Sequence, residues 1–322
     1  MAAVRSISGG ALSGELRCFI ETALQCLFIY IIPIAAAVRI YRRFIGPLSA
    51  GVMLRKPANF EKLYWLLPAV YGVSFAVNIV TVIGRSIISK ITTGEFKADS
   101  VFDSFNMDSP FNIAMLFVYT VIAGPLFEEI LFRGIFLRVL FPFGRGFAIV
   151  LSSVFFGLAH GNFQQFFYAF AVGIMLGYVA VLSKGILTTY AIHASINAIS
   201  TILLIITRIA NVPDGGNISA AAVESLSEGN RAALSVMVIY TLLIFVFAAC
   251  GVVSGVRRIK RIRVTGVFPN IPPPFVPEQC REEMETVRKN RVKWLILAPA
   301  IWVAAVIVID SFGDNFLLQM LF

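Results

Sequence analysis

Long apolar runs, separated by short charged or Gly/Pro-containing pieces, recur along the whole chain. They fall at 18–38, 64–88, 110–140, 147–160, 163–182, 186–206, 232–256 and 294–309. A helix rises about 1.5 Å per residue, so roughly 20 apolar residues cross a hydrocarbon layer of about 30 Å. The pattern therefore predicts an all-α, polytopic membrane helix bundle of about eight transmembrane helices. Arg39, Arg42 and Arg43 follow the first run, whereas a cleaved signal peptide carries its basic residues ahead of the apolar stretch, so a retained helix is expected. Pro142, Gly144 and Gly146 end the third run and Lys184-Gly185 ends the fifth. Gly173 and Gly177 in the fifth have the small-xxx-small spacing that lets membrane helices approach closely. Three regions follow: 1–109 with two spans, 110–206 with four, and 207–322 with two more and a basic, Pro-rich cytoplasmic loop at 257–293.

Composition agrees with the pattern. The 322 residues are 58% hydrophobic and 14% charged, with a mean hydropathy of +0.84, values outside the soluble range. A net charge of +9 would suggest nucleic acid in a soluble protein. Here the distribution of the basic residues argues against that partner and for the lipid bilayer. With 39–62, 138–145, 184 and 257–293 in the cytoplasm, that side holds 19 of the 27 Lys/Arg. Both termini are then extracytoplasmic. The ten basic residues of 257–293 set topology or hold the inner leaflet. Cys18, Cys26, Cys250 and Cys280 are scattered without metal-ligand or redox spacing, which reads as structural thiols.

One stretch breaks the apolar rule. Glu128, Glu129 and Arg133 stand in the middle of the third run, where each costs about 2.5–3.5 kcal/mol to insert. Glu129 and Arg133 are one helical turn apart and can pair. Glu128, rotated by about 100°, is the acid left over and available as a general base.

The chain has only two histidines, His160 and His193, both in apolar runs. Asn197 follows His193 by one turn, and Phe156 precedes His160 by one turn, where its ring can wall a site. At 1.5 Å per residue, Glu128 lies about 18 Å from the cytoplasmic break after residue 140, and His160 about 21 Å from residue 146. Asn197 and His193 lie about 20 and 14 Å from residue 184. All four reach one level near mid-membrane. An acid, two imidazoles and a carboxamide in a dry cavity suit amide hydrolysis: the acid and an imidazole activate water, and ring and amide N–H groups hold the oxyanion. A zinc ion held by Glu128 and the histidines is the other arrangement these residues allow, although there is no HExxH motif. Spacing leaves both open.

Glu128-Glu129-x-x-x-Arg133, Phe156-x-x-x-His160 and His193-x-x-x-Asn197, in that order on consecutive spans, resemble the three motifs of the CPBP intramembrane protease family. That family includes type II CAAX prenyl endopeptidases and bacterial Abi-like proteins. The flanking Phe132-Arg133-Gly134 and Ala159-His160-Gly161 also fit, and the resemblance covers about 110–205. It implies that Glu128 with His160 activates water, that His193 and Asn197 stabilise the oxyanion, and that Glu129 and Arg133 form a supporting pair. Members are described both as metalloproteases and as glutamate-dependent enzymes, so the cofactor, a divalent metal such as zinc or none, stays open. The expected function is an intramembrane endopeptidase acting on a membrane-associated peptide or protein, in a bacterial plasma membrane. The alternatives are a proton- or ion-coupled transporter and a scaffold that keeps the protease fold.

Overall fold

The computed structural model describes residues 14–44, 54, 66–92, 107, 109–160, 163–183, 185–209 and 228–265. Every regular element among them is helical, and seven helices follow from the chain order. Helix α1 (14–44) joins Gly14–Gln25, a π-helical stretch Cys26–Ile31 and Ile32–Phe44. Helix α2 is Leu66–Thr92 and α3 is Pro110–Leu140. Helices α4 (Arg145–Leu158), α5 (Phe163–Ser183), α6 (Leu187–Ile209) and α7 (Glu228–Thr265) complete the set.

Six of the seven are long and apolar enough to cross a membrane. The exception is α4, whose 14 residues span only about 21 Å. The expected run at 147–160 is thus a short helix inside the bundle. The expected eighth run, 294–309, lies outside the described residues. Helix α7 also runs past the expected stop at 256. Residues 257–265 hold neither Gly nor Pro, and the first breaker is Gly266, so the basic segment begins as a helical extension and not as a loop. The Pro-rich remainder lies outside the described residues.

Local chemistry sets the ends of α3. Ser109 caps it, its Oγ accepting from the backbone N–H of Asn112 at 3.2 Å, with Pro110 in the first turn where no N–H is needed. At its other end a 3₁₀ turn, Phe141–Phe143, leads to Gly144 at φ 110°, a conformation that side chains disfavour, and α4 starts there.

Helix α5 is the central post, packed on α4 and α2, while α7 lies on α2 and α6, and α1 and α6 lie on α3. The glycine pair of α5 turns toward α4: a β-carbon on Gly173 would lie 2.9 Å from that of Ser153, and one on Gly177 3.2 Å from Ile149. The core joins Phe132, Phe156, Leu176, Ile196, Val70 and Ala248 from six helices. On the outside, apolar side chains such as Phe28, Val80 and Val246 stay exposed, as a lipid-facing surface requires.

Candidate active site

Helix α3 departs from α-geometry on both sides of its two glutamates. Val118–Ala123 and Ile130–Phe136 are π-helical, bracketing Gly124–Glu129. In the first π-helical stretch the N–H of Gly124 bonds to Tyr119 O, five residues back. In that register the carbonyl of Thr120 should receive the N–H of residue 125, but residue 125 is proline and has none. The orphaned oxygen is met from α6 instead: Asn197 Nδ2 donates to Thr120 O at 2.9 Å. One amide N–H is thereby fixed, which orients the other. The Thr120 and Thr201 hydroxyls, 3.1 Å apart, add a second link between the same helices.

This contact gives a separable prediction. Asn197→Leu should cost about 1–3 kcal/mol in stability by stranding a carbonyl. The oxyanion role that the resemblance implies for Asn197 adds an expected loss of about 10²–10³-fold in activity. Adding Pro125→Ala restores a backbone donor to Thr120, so thermal unfolding in detergent should recover while activity does not.

The most deeply buried charges form one cluster. Glu129 is 0% and Arg133 3% exposed, and Arg133 Nη1 lies 2.9 Å from Glu129 Oε1. Arg133 Nη2 donates to Gly173 O at 3.4 Å, and its guanidinium carbon sits 4.3 Å over the Phe156 ring. Phe156 is 1% exposed. It meets His160 and His193 edge-on, with ring centroids 5.0 and 5.7 Å apart. It therefore holds both imidazoles from behind and does not wall the cavity.

Each imidazole is fixed through Nδ1. That of His160 lies 2.8 Å from Phe156 O, and because a carbonyl only accepts, Nδ1 carries the proton and Nε2 presents its lone pair. His193 Nδ1 lies 3.0 Å from Glu129 Oε1, the oxygen that also faces Arg133. On the other side, His193 Nε2 is 3.7 Å from Glu128 Oε2, longer than a hydrogen bond. His193 is buried between two carboxylates.

Glu128, His160 and Asn197 line one cavity of about 550 Å³ among the spanning helices. His193 is not among its lining residues; it stands behind Glu128. The walls also come from α1 (Tyr30) and α2 (Tyr71, Ser74, Asn78), and Tyr30 Oη donates to Glu128 Oε1 at 3.1 Å. Sequence reasoning missed Tyr30, Thr120 and Pro125. The only signal for the last two was a proline in mid-span, which guarantees an unpaired carbonyl. Nothing marked Tyr30. Among the described residues no three His, Cys, Asp or Glu side chains gather as metal ligands.

Residues 110–199 match the family described as type II CAAX prenyl endopeptidase, Rce1-like. The chain carries a CPBP-family protease domain. No curated protein and no solved structure matches the chain. The Rce1-like domain takes in α3, α4, α5 and the first half of α6, and with them Glu128, Glu129, Arg133, Phe156, His160, His193 and Asn197. With six helices able to cross a bilayer, the chain is an integral membrane protein, and its residues 110–199 match a protease family.

Proposed function

We propose that the protein is an intramembrane endopeptidase that cleaves a membrane-associated peptide or protein with a water activated by Glu128 and His160. The observation that carries this reading is that Glu128, His160 and Asn197 share one cavity inside the bundle. Glu128 takes a proton from the attacking water, and His160 Nε2, its lone pair held outward by the bond at Nδ1, aligns that water. As the carbonyl becomes tetrahedral, the second N–H of Asn197 donates to its oxygen. The proton held by Glu128 then passes to the leaving amine nitrogen, and the peptide bond breaks.

The resemblance implies an oxyanion role for His193 beside Asn197. The geometry favours a different one, with His193, anchored by Glu129, standing behind Glu128, its Nε2 3.7 Å from Oε2 and outside the cavity lining. The Arg133–Glu129 pair fixes His193 in turn. Aromatic and polar residues both line the cavity, which suits an extended peptide with apolar side chains delivered from the bilayer. The short connections fit a bacterial plasma membrane. Comparing the peptidome of cells carrying the wild-type protein with that of cells carrying Glu128→Gln tests the reading: products present only with the wild type support it, and identical peptidomes overturn it.

A further inference from the structure

Tyr30 lies on α1, outside the Rce1-like domain, yet its hydroxyl donates to Oε1 of the glutamate at the centre of that domain. Its neighbours Phe28 and Ile31 are 62% and 45% exposed and face outward as lipid-contacting residues do, and Ile29 reaches the cavity edge. Tyr30 turns inward to the glutamate, within the π-helical stretch Cys26–Ile31, where the N–H of Ile32 bonds five residues back to Leu27 O.

Two contacts separate the work of the ring from that of the hydroxyl. The ring stacks on Phe127 with centroids 5.3 Å apart and planes at 18°, which is enough to anchor α1 to α3 and which phenylalanine would do equally well. The hydroxyl adds a polar group that costs about 1–3 kcal/mol to bury without a partner, and its partners are Glu128, to which it donates, and the hydroxyl of Tyr119. Gly124 stands one turn before Glu128 and packs beside the pair: a β-carbon there would crowd Tyr119 O at 2.9 Å and only touch Tyr30 Oη at 3.5 Å. Oε1 is held by Tyr30, while Oε2 only faces His193 at 3.7 Å, so the hydrogen bond from Tyr30 is what orients the carboxylate.

We infer that Tyr30 is a positioning residue for Glu128, so that α1 completes the active site and the Rce1-like domain alone is insufficient. This rests on the endopeptidase reading, with Glu128 as the base. The test uses the full chain in detergent or liposomes and two probes. One is a synthetic peptide spanning a cleavage site found in the peptidome comparison. The other is dicyclohexylcarbodiimide, an apolar reagent that couples to buried carboxyl groups, with its adduct at Glu128 quantified by mass spectrometry and Glu128→Gln as the blank. Tyr30→Phe, which keeps the stack on Phe127, should lower kcat about tenfold or more, the worth of a hydrogen bond to a charged group. KM should stay unchanged, and labelling at Glu128 should become faster because Oε1 is uncovered. Tyr30→Leu should lose as much kcat and some stability besides. Wild-type kcat and labelling in Tyr30→Phe would overturn the inference, and so would a raised KM with unchanged labelling. If instead Glu128→Gln leaves proteolysis intact, it is the endopeptidase reading that fails, and the labelling rate alone decides whether Tyr30 holds Glu128.

Discussion

Glu128→Gln should abolish cleavage while leaving a folded, inserted protein. Loss of a positioned general base costs about 10²–10⁴-fold, and in the proposed mechanism the same group also carries the proton to the leaving amine, so the upper part of that range is expected. The fold should tolerate the change because each contact of Glu128 survives it. Tyr30 Oη, 3.1 Å from Oε1, can donate to an amide oxygen, and the new N–H can point at His193 Nε2, which stands 3.7 Å from Oε2. Thermal unfolding in detergent should therefore match the wild type while product peptides disappear. Glu128→Asp is a useful companion. It keeps the acid but withdraws it by one methylene from Tyr30, and partial activity is the expected result. A proton-flux assay in liposomes separates this account from a transporter, since an endopeptidase needs no Glu128-dependent current.

Much of this arrangement was legible in the sequence because membranes make ionisable groups improbable. Glu128, Glu129 and Arg133 stood out from an apolar run, and the four-residue spacing put Glu129 and Arg133 on one face, where they lie 2.9 Å apart. Equal depth along three spans brought Glu128, His160, His193 and Asn197 to one level. The structure sets three of them around a cavity and His193 directly behind. What could not be read has physical causes. Periodicity assumes 3.6 residues per turn, so the π-helical stretches of α1 and α3 were invisible. The contact of Tyr30 with Glu128 joins residues 98 apart, and a single chain without co-varying relatives does not reveal which spans neighbour one another. An aromatic one turn from a histidine, as Phe156 is from His160, suggests a wall. The burial of Phe156 among Phe132, Arg133 and both imidazoles shows how one ring orders a polar cluster from behind.

The second large effect concerns the pair behind the site. Arg133→Met should destabilise the protein by about 3–5 kcal/mol, since it leaves Glu129 buried with its cation removed. It also strips a donor from Gly173 O and a cation from the Phe156 ring. The cost comes from the stranded charge, so removing the second charge should recover most of it: an apolar pair of similar volume in place of a buried ion pair is often neutral or better. Glu129→Leu combined with Arg133→Met is therefore expected to unfold near the wild-type temperature. Activity should not return with stability. His193 Nδ1 depends on Glu129 Oε1 at 3.0 Å, and without that acceptor the imidazole is free to turn away from its place behind Glu128. A double variant that is stable yet impaired in kcat would place the pair's value in orientation. One that regains full kcat would mean that Phe156 packing alone holds His193 in place. Measuring unfolding and cleavage on the same preparations distinguishes the two, because the ion pair contributes to both and the apolar substitute to only one.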